Sequence, residues 1–206
     1  IRIGNVGFED AIIDRVSKAR PDMPIFDSSR GIQLIRGTHA TPDEVDPHVW
    51  ASVANARVIA RNMYEAMTLI DSANAEYYHA NFTRLQASLD SLDRAMHSRL
   101  DSLHHRAFVV MHPELSYLAA DYGLTQVALG AENKQTSVTE LRDALTRAKR
   151  SGARVMFTRH GADSRRQHAV LDQLGISETA INLADINWPD NMLRIADALA
   201  EADNDD

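Results

Sequence analysis

Apolar residues recur at steps of 4, 3, 4, 3, 4, 4 and 3 through Tyr78, Phe82, Leu85, Leu89, Leu92, Met96, Leu100 and Leu103. Such spacing lines one face of an α-helix. It predicts a helix over 73–103, about 45 Å long at a rise of 1.5 Å per residue. A looser stripe precedes it, with Ala54, Val58, Ile59, Met63, Met67 and Ile70 at three-to-four spacing from Trp50 on. Asp71-Ser72 separates the two helices. Beyond residue 105 the pattern changes to short apolar runs alternating with amphipathic stretches. Strands are predicted at 108–111, 126–129, 154–158 and 181–183. Helices are predicted at 115–122, 137–150, 163–174 and 190–200. Gly123, Gly152 and Gly175 stand where three of those helices stop, and Ser137 with Glu140 forms a capping box. Strand and helix alternating through short links predict a parallel sheet covered on both faces.

The first 50 residues read differently. Pro21, Pro24, Gly31, Gly37, Pro42 and Pro47 punctuate them. Residues 1–4, 25–26 and 32–35 read as strand fragments, and 8–16 as a short helix with Phe8, Ile12, Ile13 and Val16 on one face. The expected architecture is α/β: two α/β lobes joined by a long rigid helix. The partition is 1–72 for an incomplete first lobe, 73–105 for the connecting helix and 106–206 for the second lobe. A helical-bundle member or coiled-coil arm is the alternative for the long helix. The two-lobe reading ranks ahead because α/β units follow on its far side. The acidic end, 201–206, is expected to fray.

Composition narrows the function classes. The 206 residues are 44% hydrophobic and 25% charged, which excludes a collagenous or disordered chain. Twenty-two basic residues against 29 acidic ones give a net charge of −7, so the footprint of a non-specific nucleic-acid binder is missing. Cysteine is absent, which removes disulfides, thiolate metal sites and a cysteine nucleophile. No apolar run approaches the roughly 20 residues of a membrane span. The chain opens on Ile1 without Met, which reads as a trimmed or processed product.

Ligands of open α/β sheets bind beyond the carboxyl ends of the strands. His112-Pro113-Glu114, Gly130-Ala131-Glu132-Asn133, Arg159-His160-Gly161-Ala162-Asp163 and Ala184-Asp185-Ile186-Asn187 are expected there. Imidazole with carboxylate suits a divalent first-row metal. His112 is held between a buried strand and a proline. His48 lies in Asp46-Pro47-His48-Val49-Trp50 at a helix entry, with Asp46 placed to cap. A ligating imidazole needs its tautomer fixed through its other nitrogen. The plainer readings are a satisfied core histidine for His112 and an exposed one for His48. His39 is a candidate mobile auxiliary ligand. His79, His97, His104, His105 and His168 read as surface residues, and the adjacent pair His104-His105 as pointing to different faces. Gly-x-Ser-x-Gly, phosphate-loop and His-Glu-x-x-His motifs are all missing.

Asp46-Pro47-His48-Val49-Trp50 followed by Asn55 resembles the Asp-Pro-His-x-Trp motif of the zinc/manganese substrate-binding proteins of bacterial ABC transporters. Val110-Met111-His112-Pro113, then Tyr117-Leu118 and Tyr122-Gly123-Leu124, resembles their His-Pro…Tyr-Phe…Tyr-Gly-Leu segment. Val155-Met156-Phe157-Thr158 and the Asn191-Met192 helix also fit. The resemblance covers essentially the whole chain. It implies a metal held between two lobes joined by a rigid helix, with three histidines, or two histidines and carboxylates, as ligands. Carried over by position, His48 is the first-lobe ligand, His112 the second-lobe ligand, and Asp185 a late aspartate ligand. Histidine at the second position goes with zinc-type members; manganese-type members often have glutamate there.

The implied function is an extracytoplasmic receptor, periplasmic or lipid-anchored in its full-length form. It takes Zn(II), with Mn(II) as the second metal, and delivers it to a transporter permease. Two departures stand out. The early strand and early histidine of the first lobe have no match here, which leaves an open coordination position and a sheet edge suited to a strand-exchange dimer. Arg159 stands where members usually carry glutamate, with Asp185 or Asp163 as its expected partner. Two other functions compete. One is a metal-dependent hydrolase using metal-bound water with Glu114 or Asp185 as base. The other is a surface adhesin or scaffold presenting the long helix.

Overall fold

The computed structural model describes residues 1–37, 43–130, 136–159 and 165–204. Helix α1 spans Gly7–Ala19 and α2 spans Val53–Ile70. A 3-10 turn at Ser72–Asn74 leads into α3, Ala75–Leu100. Four units of strand and helix follow: β1 (Ala107–Val110) with α4 (Ser116–Asp121), and β2 (Thr125–Ala128) with α5 (Val138–Ser151). Then come β3 (Val155–Arg159) with α6 (Arg165–Leu174), and β4 (Ser177–Ile181) with α7 (Trp188–Asn204). All strand pairings in the sheet are parallel, in the order β2-β1-β3-β4. The α/β reading therefore holds.

Side chains alternate across the sheet and define two cores. Phe108, Val110, Val155 and Phe157 face a cluster that includes Leu92, Met96 and Leu100 of α3 and Met192, Ile195 and Leu199 of α7. Val109, Val127 and Met156 face Ala144, Leu145 and Ala148 of α5 and Val170 of α6. The period of two along each strand sends consecutive residues to opposite faces, which is why Val109 and Val110 join different clusters. Val53 and Ala60 of α2 enter the first cluster, so the amino-terminal half shares a core with the sheet.

Several expectations need correction. The long helix is 26 residues, about 39 Å, and ends at Leu100. Its stripe is buried only from Leu89 onward; Leu85 is 47% exposed. Residues 25–26 and 32–35 form no strands. The described pairing there is two isolated bridges, Arg2 with Asp27 and Arg36 with Val45. The last strand lies at Ser177–Ile181, not 181–183. It is an edge strand whose register on β3 runs from Val155↔Ser177 to Arg159↔Ile181. Its exposed Ser177 and Glu178 gave no apolar signal. Helix α2 starts at Val53 rather than Trp50, capped by Ser52, whose side chain accepts from the Asn55 N–H. The Ser137–Glu140 capping box is present, and α5 closes on Gly152 at φ 69°, a conformation that favours glycine.

Helix α7 continues to Asn204, into the end expected to fray, and residues 205–206 lie outside the described residues. Asp203 accepts the backbone N–H groups of His104 at 2.9 Å and His105 at 2.7 Å. The Nδ1 atoms of both rings also lie on its carboxylate, at 3.4 Å and 2.9 Å. The two histidines thus lie beyond the end of α3 and converge on one group, contrary to the different-faces expectation. The two backbone donors hold the Asp203 carboxyl well below its ordinary value of 3.8. A carboxyl depressed in the folded state adds stability above its unfolded value and loses it as pH falls below that value. The stability advantage of the native protein over Asp203→Asn is therefore expected to be constant near neutrality. It should shrink below pH values of about 4, as read by denaturant unfolding at stepped pH.

Candidate metal centre

His48 is buried in a tight turn ahead of α2. The His48 backbone N–H donates to Asp46 Oδ1 at 2.9 Å, and the ring Nδ1 lies 2.8 Å from the same oxygen. Pro47 fixes the backbone between them, so one carboxylate oxygen grips both groups. Burial alone would raise the Asp46 carboxyl. Hydrogen bonds from the His48 ring, the His48 N–H and Ser116 outweigh it and hold the group at about 2. An ionised carboxylate only accepts, so Nδ1 carries a proton, which leaves Nε2 as the ring nitrogen suited to take a metal. That is the tautomer a metal-binding imidazole requires. The Trp50 and His48 rings meet edge to face, with centroids 5.3 Å apart. Ala51 N–H donates to the His48 carbonyl at 3.0 Å and Asn55 Nδ2 to the Val49 carbonyl at 3.0 Å, which fixes the turn on the helix start. Asp46 thus orients His48; the capping of α2 falls to Ser52.

His112 sits two residues beyond β1, at the carboxyl end of a central strand. Its Nδ1 is buried and has no hydrogen-bond partner. A buried polar atom left unpaired costs about 1–3 kcal/mol. An unpaired buried nitrogen at the carboxyl end of a parallel strand, where ligands of such sheets bind, fits a metal-ligating role. Pro113 and Glu114 precede α4, which starts only at Ser116. Arg159 Nε donates to Glu114 Oε2 at 2.8 Å. Arg159 therefore pairs with Glu114, which the sequence expectation of Asp185 or Asp163 did not include.

Asp185 lies in the turn after β4. Its Oδ1 accepts the Asn187 N–H at 2.8 Å, and its Oδ2 lies 3.5 Å from Asn182 Nδ2. Among the described residues, no group of three or more His, Cys, Asp or Glu side chains is gathered closely enough to hold a metal. His39, His160 and Asp163 lie outside the described residues.

Three ties join the His48 turn to the sheet half. Tyr117 Oη donates to the Asp46 carbonyl at 2.8 Å and accepts the Ile35 N–H at 3.2 Å. Ser116 bonds the Asp46 side chain. Ser52 Oγ donates to Asp121 Oδ2 at 2.5 Å. The sequence carries no signal that assigns a role to Tyr117, Ser52 or Ser116. Their partners lie about 70 residues away, where spacing carries no signal.

Residues 1–202 match the profile of the family described as ZnuA, zinc-uptake complex component A, periplasmic. The chain belongs to the ZnuA family. Among curated relatives, the high-affinity zinc uptake system protein ZnuA of Bacillus subtilis (strain 168) is 26% identical over 168 residues, covering 75% of this chain and 53% of that protein. The zinc-binding lipoprotein AdcA of Streptococcus pneumoniae (strain ATCC BAA-255 / R6) is 25% identical over 141 residues, 68% of this chain and 28% of that protein. The chain spans about half the length of the first curated relatives it matches. A zinc-bound ZnuA deletion mutant superposes with a TM-score of 0.88 at 25% identity, covering 99% of this chain and 78% of that one. A manganese-bound periplasmic metal-binding protein from Candidatus Liberibacter asiaticus shares the fold, with a TM-score of 0.81 at 20% identity over 96% of this chain and 79% of that one. Among the described residues of this ZnuA-family chain, no helix is long and apolar enough to cross a membrane.

Proposed function

We propose that this chain is the metal-capturing part of a periplasmic receptor that takes Zn(II) and delivers it to the permease of an ABC transporter, without catalysing a reaction. Mn(II) is the second metal the site accepts. His48 and His112 are the ligands, one from each of two lobes, and Asp185 is the third candidate. The lobes are 1–72 and 106–206, with 73–105 as the connecting helix. The observation that carries the reading is the buried Asp46–His48 pair, whose ionised carboxylate presents the imidazole in its ligating tautomer. The orphaned Nδ1 of His112 supports it from the other side. Imidazole donors favour zinc; manganese prefers harder oxygen ligands.

A hydrolase would need a general base beside a metal-bound water. Glu114 is instead engaged by Arg159, which argues against that role. The zinc-uptake relatives argue in the same direction. Calorimetric titration is the test. Zinc should bind at one equivalent and more tightly than manganese, with no turnover of generic esters or phosphates. Saturation at one equivalent by manganese in preference to zinc would overturn the metal assignment. Turnover would overturn the receptor reading.

A further inference from the structure

We propose that Tyr117 is a positioning residue that locks the His48 turn to the strand end bearing His112, so that the two ligands form one preassembled unit. The inference deepens the zinc-receptor reading and rests on His48 being a ligand. Tyr117 is 3% exposed and belongs to α4, only five residues after His112. The intervening segment is itself pinned. Glu114 N–H donates to the His112 carbonyl at 2.8 Å, and Leu115 N–H donates to Gln126 Oε1 at 2.7 Å. Gln126 Nε2 in turn donates to Ser116 Oγ at 2.8 Å, and Leu115 and Leu118 are fully buried on either side.

From this anchored position the Tyr117 hydroxyl reaches across 71 residues to the Asp46 carbonyl and across 82 to the Ile35 N–H, using its donor and an acceptor site at once. Asp46 is the residue that orients His48. Ser116 holds the Asp46 side chain while Tyr117 holds its backbone. The carrier of one ligand is therefore fastened, through a single buried helix turn, to the carrier of the other. A rigid supporting shell of this kind sets how closely two ligands keep their productive spacing.

Tyr122 supplies the control. It is 4% exposed, lies just beyond the same helix, and its hydroxyl donates to Asp93 Oδ1 at 2.7 Å without touching Asp46. Tyr117→Phe and Tyr122→Phe each delete one buried hydroxyl, and both should melt below the native protein. Zinc titration by calorimetry should separate them. Tyr117→Phe is expected to bind about tenfold more weakly, the range of outer-shell changes at metal sites. Tyr122→Phe should bind as the native chain does.

Nitrogen-15 spectra of the metal-free protein at fixed pH provide the second readout. His48 should show protonated Nδ1 in the native chain and in both variants, because the Asp46 side chain holds the ring within its own turn, so a zinc loss in Tyr117→Phe with that signature intact is a loss of spacing between the two ligands. Equal affinity loss in both variants, or none in Tyr117→Phe, would overturn the positioning role. If His48→Ala binds zinc as tightly as the native chain, the ligand reading fails. Amide exchange at Ile35, whose N–H donates to Tyr117 Oη, then decides the tether on its own: exchange no faster in Tyr117→Phe than in the native chain would end it.

Discussion

His48→Ala and His112→Ala should each weaken zinc binding by about 100-fold or more, while differing in what they do to the metal-free fold. Loss of an outer-shell partner alone typically costs 10–100-fold, and loss of the ligand itself removes a metal bond. The stability effects diverge because the two rings are held differently. His48 is buried and supplies two of the hydrogen bonds that keep the Asp46 carboxylate ionised in a dry site. Its ring bond is lost in the alanine variant, which leaves a buried charge short of a partner. A cost of about 1–3 kcal/mol is expected. His112 has a buried ring nitrogen with no partner to lose. Its removal should cost less, even though zinc binding suffers as much. Calorimetry with zinc and thermal melts of the metal-free variants test both halves. Zinc affinity unchanged in His112→Ala would remove it from the ligand set. A stability loss in His112→Ala as large as that in His48→Ala would show that the His112 ring is a packing element.

Phe157→Ala should be the most destabilising single core change, costing about 3–5 kcal/mol. Phe157 is 1% exposed on central strand β3 and meets Phe108 of β1 edge to face, with centroids 5.4 Å apart. Such pairs add about 0.5–1.5 kcal/mol beyond the buried area. The ring also belongs to the buried cluster shared by α2, α3, the sheet and α7, so its loss leaves a cavity in that shared core. Against a total stability of about 5–15 kcal/mol, the loss is a large fraction. Urea unfolding should show a lower midpoint at an unchanged slope. Leu85→Ala, at a position 47% exposed, should shift the midpoint little. A small effect at Phe157 would mean that the sheet core relaxes around the void.

The elements from residue 53 onward were largely legible because their signals are local. A capping box spans three residues, a helix face repeats every three or four, and a central strand is a continuous apolar run. Ser137 with Glu140, the stripe from Leu89 to Leu100 and the runs at β1 and β3 all carry such signals. β4 was misplaced for the opposite reason. It is an edge strand, so its register is set by pairing with β3, and its polar residues hide it. The first 50 residues were over-read as strands because short apolar runs look the same whether or not a partner strand lies beside them.

The candidate site divides in the same way. Asp46-Pro47-His48 is a contiguous turn, so the chain's order offers it as a candidate, but order alone reads more plainly as a helix start with an exposed histidine; the family resemblance is what implies a ligand there, and the structure shows the ring buried. Order offers His112, at the end of a buried strand, as a candidate in the same way. Other features depend on residues distant in sequence. Tyr117 bonds Asp46 and Ile35, Ser52 bonds Asp121, Arg159 pairs with Glu114, and Asp203 gathers His104 and His105. Those pairings join residues 45 to 99 positions apart. Local order dictates which backbone conformations are cheap and which faces are apolar. Which polar groups meet is decided only when the elements pack, because the cost of an unpaired buried group is incurred only once water has been excluded around it.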